Sequence, residues 1–184
     1  MATRNSTIQI LDPRAEDVPE EVGLNTNLPS LKGKVVGLLE NRKYHADAFL
    51  QELKEVLVQD YGAQKVVYAT KFSYSAPCAA ETLDSLAEEC DVVIHGVADG
   101  GSCTTWGLHD TVATESKGVP SLSVITSSFT RAARARTSAL GMPGARIVVI
   151  PSPLVTKSVD DVKQMAHDFA PEIVGLLTSE ISAT

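Results

Sequence analysis

The 184-residue sequence has few aromatic residues, few basic residues and no long apolar run. Aromatic residues make up 5%, and 16 Lys and Arg against 23 Asp and Glu leave a formal net charge of −7. A chain this acidic is not expected to bind nucleic acid or an anionic membrane surface. We also expect no signal peptide after Met1 and no membrane-spanning segment, because both need a continuous apolar stretch.

Cysteine and histidine are scarce as well, with three and four residues. Cys78, Cys90 and Cys103 are odd in number and lack the spacing of zinc ligands, and the histidines form no His-x-x-x-His pair. Residues 96–101 do not complete the dinucleotide-binding fingerprint and follow the third predicted strand rather than the first. The sequence therefore predicts a cytoplasmic protein with reduced thiols, no metal site and no cofactor.

From residue 33 onward, short β-branched runs alternate with helical patterns. The alternation predicts an α/β domain over residues 33–184: a single open, mostly parallel five-stranded sheet, doubly wound and flavodoxin-like, with helices on both faces. The predicted strands cover residues 35–39, 66–69, 92–94, 121–125 and 147–150, and the predicted helices cover 44–61, 79–89, 102–118, 129–140 and 159–177.

Residues 1–32 have a different composition, rich in Pro, Asp, Glu and Asn. We interpret them as an extended N-terminal arm that lies on the domain or on a partner subunit, and simple disorder is the alternative. An arm of this kind would allow a homodimer.

In open parallel sheets, ligands bind beyond the carboxyl ends of the strands. Asn41 and Lys43 follow the first strand, Lys71 follows the second and Thr126 ends the fourth. A lysine there can hold a carboxylate or protonate a leaving group. A solvated surface lysine is the alternative for Lys43.

Residues 91–110 combine a buried strand, a glycine turn and a helix start. Gly100 and Gly101 predict left-handed backbone angles and a close approach to a ligand. The free N–H groups of the next turn would face an anion or an oxyanion. Cys103 lies on that turn, where the helix dipole favours a thiolate.

The same turn has less specific interpretations. Ser102 could cap the helix, and Cys103 could be a small buried hydrophobic residue. Asp99 could cap the helix, orient the turn or act as a base. Thr104 completes the backbone segment that would bind an anion.

The stretch Gly100-Gly-Ser-Cys-Thr104, with Gly107 beyond it and Glu115-Ser-Lys-Gly-Val-Pro120 before a strand, resembles the UGSC family of (seleno)proteins. That family is named for a motif in which selenocysteine or cysteine precedes Gly-Ser-Cys. The likeness extends from about Leu31 to Pro153. A weaker likeness, of the motif alone, is to the selenocysteine subunits of glycine and proline reductases. The resemblance implies that Gly100 stands at the selenocysteine position, so that only the second thiol remains.

One thiol cannot store two electrons as an internal disulfide, which disfavours oxidoreduction. We therefore expect an enzyme without a redox cofactor, a lyase or hydrolase acting on a small anionic carbonyl or carboxylate metabolite. The predicted catalytic residues are Cys103, Lys71 and Asp99. The predicted substrate-binding residues are Asn41, Lys43, Gly100, Gly101, Ser102, Thr104 and Thr126. A non-catalytic binding or accessory subunit, and a thiol reductase that pairs Cys103 with Cys78, are the alternatives.

Overall fold

The computed structural model describes residues 20–179 and contains one sheet of five parallel strands in the order β2-β1-β3-β4-β5. The predicted α/β fold is confirmed, and the sheet is parallel throughout. The strands are β1 Val35–Glu40, β2 Lys65–Thr70, β3 Val92–Ala98, β4 Ser121–Thr126 and β5 Arg146–Ile150. The helices are α1 Ala46–Gln59, α2 Ala80–Glu89, α3 Gly101–Ser116, α4 Thr130–Ala139 and α5 Val159–Leu177, with 3₁₀ turns at Ser127–Phe129 and Leu154–Thr156.

Helices α1 and α5 pack together on one face of the sheet, over the larger apolar core. The apolar residues of α1 recur every three or four positions, so Phe49, Leu50 and Leu53 share one buried side. They contact a core to which Ile94 of β3 and Ile173 of α5 also belong. Each such side chain contributes about 1.5–3 kcal/mol when it is fully buried.

Helix α3 covers the other face with mainly polar side chains, together with α2 and α4. Thr111 Oγ1 lies 2.6 Å from Ser123 Oγ, and Thr114 Oγ1 lies 3.2 Å from His95 Nε2. His95 is thus a hydrogen-bonded core residue, as its place in the strand pattern indicated. Strand β3 continues to Ala98, beyond the predicted end at Ile94.

The chain reverses its direction of winding between β1 and β3, which are neighbours in the sheet. This is the topological switch point, where a crevice opens outside the carboxyl ends of the strands. The backbone N–H of Asn41 donates to the carbonyl of Gly96 at 2.7 Å, and that of Lys71 donates to the carbonyl of Glu40 at 2.9 Å. These bonds fix the loops that follow β1 and β2, which lie on one side of the crevice.

Residues 22–28 lie at the opposite end of the sheet, where the strands begin. The N–H of Val22 donates to Gly141, and Leu28 forms an isolated parallel bridge with Thr178. Arg146, at the start of β5, donates to the side chain of Glu115 and to the carbonyl of Asn25, each at 2.6 Å. This part of the predicted arm therefore lies on the domain itself.

Residues 1–19 of the predicted arm lie outside the described residues, and a homodimer through the arm stays a prediction. Between residues 20 and 179, no helix has the length and apolar character that crossing a bilayer requires.

Candidate functional site

The glycine turn before α3 differs from the prediction in its backbone. Gly100 is the N-cap with φ 162° and ψ 160°, which is extended backbone, and Gly101 already belongs to the helix. Neither glycine has a left-handed φ, so the expectation of left-handed angles was wrong. Among residues 20–179 no side chain caps this helix, and Ser102 is exposed, which corrects its predicted capping role.

The thiol of Cys103 lies on the first turn of α3, but it is buried, with 1% exposure. On one side it belongs to an apolar cluster with Ala98, Leu108 and Ile125. On the other side it faces Gly100: a Cβ added to this glycine would lie 3.5 Å from Cys103 Sγ. The sulfur is thus covered by aliphatic side chains except toward the glycine turn.

The Lys43 ammonium approaches Gly100 as well. The same added Cβ would lie 3.5 Å from Lys43 Nζ, so the thiol and the ammonium flank one small space that a side chain at Gly100 would fill. The Nζ atom also lies 5.1 Å from the centroid of the Tyr74 ring, a cation–π contact that helps hold the lysine in place.

An open cleft of about 710 Å³ begins at Lys43 and extends over the ends of β1 and β2. Its polar lining carries three basic and two acidic side chains. The residues that line it are Glu40, Arg42, Lys43, Tyr44, His45, Asp47 and Thr70. The Glu40 carboxylate accepts from the backbone N–H of Arg42 at 2.8 Å and from Thr70 Oγ1 at 3.0 Å, so part of the acidic charge is already hydrogen-bonded.

The β1–α1 loop that carries Lys43 has an unusual backbone. Arg42 and His45 have positive φ angles of 54° and 63°, the left-handed region that non-glycine residues seldom adopt. Each such residue costs on the order of 1–3 kcal/mol, and strain of this kind is concentrated at functional sites. His45 is the N-cap of α1, and this is why the helix begins at Ala46 rather than at the predicted Tyr44.

Asn41 directly follows β1 and lies against α3, with 3% exposure. Its Nδ2 donates to the carbonyl oxygen of Cys103 at 3.3 Å. Its Oδ1 is buried and has no hydrogen-bond partner among the described residues. The structure thus brings together Asn41, Lys43, Gly100 and Cys103, four of the residues that the sequence nominated.

Lys71 lies below this group rather than at the mouth of the sheet. It is 3% exposed, and its Nζ lies 2.5 Å from Asp110 Oδ2. Burial raises the pKa of the Asp110 carboxyl above its ordinary value, opposed by hydrogen bonds from the Lys71 ammonium and the Cys78 amide. A catalytic role for Lys71 stays a prediction, and its position favours a supporting role.

Asp99 is already engaged on both carboxylate oxygens. Oδ1 accepts from Thr126 Oγ1 at 2.7 Å and Oδ2 from the N–H of Leu154 at 3.1 Å, so this residue joins two loops and does not cap α3. Thr104 Oγ1 donates to the carbonyl of Gly100 at 2.8 Å. Both threonines are buried, and their side chains support the turn. Like Asn41, Gly100 and Cys103, they are not among the residues that line the cleft.

Cys78 and Cys90 are free and buried, as is Cys103. The amide of Cys78 donates to Asp110 Oδ1 at 2.8 Å, which places Cys78 about 10 Å further along α3 than Cys103. Cys78 belongs to an apolar cluster with Cys90, separate from the cluster of Cys103. This arrangement does not favour the reductase alternative.

Sequence reasoning did not select Arg42, Tyr74 or Asp110. The first two lie within stretches that the strand-end rule nominates, at residues 40–45 and 70–75, so a weak signal existed. Asp110 shares a helix face with Cys103, but nothing in the sequence paired it with Lys71. Within residues 20–179, no group of three His, Cys, Asp or Glu side chains could hold a metal ion.

Comparison with known proteins gives one result that bears on identity. No curated protein matches the chain. The model of the UGSC family matches residues 9–179, nearly the whole length. This match covers the glycine turn, Cys103 and the loop that carries Lys43. The chain therefore belongs to the UGSC family.

Proposed function

We propose that this protein is an enzyme that acts on a small anionic carbonyl or carboxylate compound through the Cys103 thiol, as a hydrolase or lyase without a redox cofactor. One observation carries the proposal: Cys103 Sγ and Lys43 Nζ both lie 3.5 Å from the position of a Gly100 Cβ. Because each atom is 3.5 Å from that one point, Sγ and Nζ are at most 7.0 Å apart, and a small molecule bound over Gly100 would contact the sulfur and the ammonium together. A reacting group and an anion-binding group would then hold the same small molecule.

In a hydrolytic reaction, Lys43 binds the carboxylate of the substrate and the Cys103 thiolate attacks a carbonyl carbon next to it. A carbon–sulfur bond forms, and the carbonyl π electrons move to the oxygen. The free N–H groups of the first turn of α3 stabilise this oxyanion. The leaving group departs with the proton that the thiol released, and water then hydrolyses the thioester and restores the thiol. In a lyase reaction, the Cys103 thiolate would instead remove a proton from a carbon of the substrate. The C–H electron pair would form a double bond to the next carbon, whose leaving group would depart with its bonding electrons.

Alkylation tests the proposal without knowledge of the substrate. Iodoacetate carries a carboxylate and iodoacetamide does not, so Lys43 should direct only iodoacetate to Cys103. We expect the ratio of iodoacetate to iodoacetamide labelling, read by mass spectrometry, to be higher at Cys103 than at Cys90, and to fall about tenfold in Lys43→Met. Labelling of Cys103 no faster than Cys90, or a ratio unchanged in Lys43→Met, would overturn the mechanism.

A pair of glycine variants provides the matched control. Gly100→Ala adds a methyl group between Sγ and Nζ on a backbone that accepts any residue, so it should fold normally and lose the iodoacetate preference. At Gly101 an added Cβ meets no heavy atom of the described residues within 4 Å, so Gly101→Ala should react like wild type. Equal behaviour of the two variants would contradict the proposed site.

The burial of Cys103 favours a second candidate, a binding or accessory subunit in which the thiol only forms part of the pocket wall. This candidate predicts that a small carboxylate raises the melting temperature while Cys103 resists both reagents. The labelling experiment therefore separates the two functions.

A further inference from the structure

The Glu40 carboxylate is nearly buried and has no cation beside it, although it lines the open cleft. Glu40 ends β1 and is 8% exposed. Its oxygens accept only from neutral groups, the backbone N–H of Arg42 at 2.8 Å and Thr70 Oγ1 at 3.0 Å. Within residues 20–179, no lysine, arginine or histidine forms an ion pair with it. Buried carboxylates are rarely left without a cation, so this one needs an explanation.

This carboxylate can still accept from a bound molecule. A carboxylate offers about four acceptor positions, and the bonds from Arg42 and Thr70 use two of them. Because Glu40 belongs to the lining of the cleft, its remaining positions are open to a ligand there. A donor group that also carries positive charge would complete both the hydrogen bonding and the charge balance of Glu40.

A second carboxylate adds to the negative charge of the same lining. Asp47, on the first turn of α1, is exposed to the cleft and forms no ion pair within the described part of the chain. Both charges act on one neighbour: burial first, and then Glu40 and Asp47, raise the pKa of Tyr68. The guanidinium of Arg42 is held elsewhere, since Nη1 donates to the carbonyl of Phe72 at 3.3 Å. A cationic group of a ligand would therefore meet two carboxylates without a cation.

Lys43 lies toward the other end of the cleft, next to the proposed reaction site. Its Nζ is 3.5 Å from the position of a Cβ on Gly100, which follows β3. Glu40 instead turns toward β2, where it accepts from Thr70. Strand β1 lies between β2 and β3, and adjacent strands are about 4.8 Å apart. The Lys43 ammonium and the Glu40 carboxylate are therefore roughly 5–10 Å apart.

We infer that the substrate is zwitterionic, with its carboxylate at Lys43 and a cationic amine, several bonds away, at Glu40 and Asp47; this inference rests on the proposed function. The carbonyl that Cys103 attacks adjoins the carboxylate over Gly100, so the amine is on the leaving-group side of that carbonyl. The cleft volume of about 710 Å³ is within the range of about 300–1,000 Å³ for sites that hold larger molecules than a short acid. An α-amino acid carries both charges on one carbon and cannot reach both ends.

Isothermal titration calorimetry of the full-length protein with 6-aminohexanoate and hexanoate tests the inference. The two acids share one carbon chain and one carboxylate, and only the first carries an ammonium. We expect 6-aminohexanoate to bind about tenfold more tightly, the advantage of a hydrogen bond to a charged group. The isomer 2-aminohexanoate, with both charges on one carbon, should bind no more tightly than hexanoate.

A matched pair of variants locates the cationic end of the site. Glu40→Gln keeps the shape of the side chain and removes its charge, so its affinity for 6-aminohexanoate should fall to that for hexanoate. Glu55→Gln removes the same charge from an exposed position of α1 outside the cleft, and it should bind both acids like wild type. An equal loss in the two variants would attribute the preference to the net charge of the protein and overturn the inference.

Each other outcome has a defined meaning. Equal affinity of the wild type for 6-aminohexanoate and hexanoate would overturn the zwitterion inference, and its loss in Lys43→Met would then show that the proposed anion site is intact. Tighter binding of 2-aminohexanoate than of 6-aminohexanoate would also overturn the inference. Binding of none of the three acids would overturn the anion-binding role of Lys43 in the proposed function and the inference with it. The wild-type comparison decides these cases even if Glu40→Gln does not fold.

Discussion

The Nζ atom of Lys71 lies 2.5 Å from Oδ2 of Asp110, and both side chains are buried beneath the crevice at the carboxyl ends of the strands. The second oxygen of Asp110 accepts from the N–H of Cys78. One carboxylate thereby connects the end of β2, the loop that precedes α2 and the middle of α3. These contacts hold in position the helix whose first turn carries Cys103.

Breaking this pair should destabilise the fold strongly. Lys71→Met leaves the Asp110 carboxylate buried without its cation, and we expect the free energy of unfolding to fall by about 3–5 kcal/mol. The double variant Lys71→Met, Asp110→Leu removes both charges and should recover most of that loss. Urea denaturation followed by circular dichroism measures both. A single variant as stable as wild type would show that the pair contributes little.

His95 should make the protein sensitive to acid. Burial, and to a lesser extent the positive charge of Lys71, lower the pKa of His95 to about 3, against 6.5 for an unperturbed histidine. Between pH 6.5 and 3 the unfolded chain therefore binds a proton that the folded protein does not, and stability decreases as the pH falls. The decrease from this group is at most about 1.4 kcal/mol per pH unit.

The control for this effect is His95→Gln, which keeps hydrogen-bonding groups and does not titrate. Its free energy of unfolding, measured by urea denaturation across the same pH range, should fall less steeply than that of the wild type. Parallel curves for the two proteins would mean that His95 titrates normally in the folded state.

A cysteine introduced at Gly100 should form a disulfide with Cys103. The added Cβ would lie 3.5 Å from Cys103 Sγ, and the extended backbone of Gly100 accommodates a side chain. After mild oxidation of Gly100→Cys, peptide mapping should recover a disulfide between the introduced thiol and Cys103. Gly101→Cys is the control, because its Cβ approaches no described heavy atom within 4 Å, and it should stay reduced. Equal disulfide yields from both variants would contradict the geometry.

Asn25, at the end of the sheet where the strands begin, should contribute measurably to the free energy of unfolding. Its backbone N–H and Nδ2 donate to Glu115 Oε2 at 2.9 and 2.7 Å, and Nδ2 also donates to the Glu115 carbonyl. Asn25→Ala should lower the free energy of unfolding by about 1–3 kcal/mol, because the buried Glu115 loses donors. The exposed neighbour Thr26 supplies the control: Thr26→Ala should unfold like wild type. Equal midpoints in urea for the two variants would argue against this role.

The alternation of β-branched runs and helical periods was sufficient to predict five strands, five helices and a parallel sheet. These signals are local, since each depends on residues within one or two turns or a single strand. Cys103 at a helix start after a glycine turn was predicted for the same reason. The wrong details were backbone angles and caps: Gly100 is extended and Ser102 caps nothing within the described residues. Several conformations satisfy the same short motif, and packing selects one.

The contacts that define the site join residues far apart in the chain. Asn41 and Cys103 are 62 positions apart, and Lys71 and Asp110 are 39 apart. No periodicity encodes such pairs; they arise because β1 and β3 are adjacent in the sheet and α3 packs on β3 and its neighbour β4. Local pattern was therefore enough to predict the fold class and the sulfur at a helix start. Three-dimensional packing alone decided that Lys43 faces this sulfur across Gly100 and that Lys71 is buried against a carboxylate.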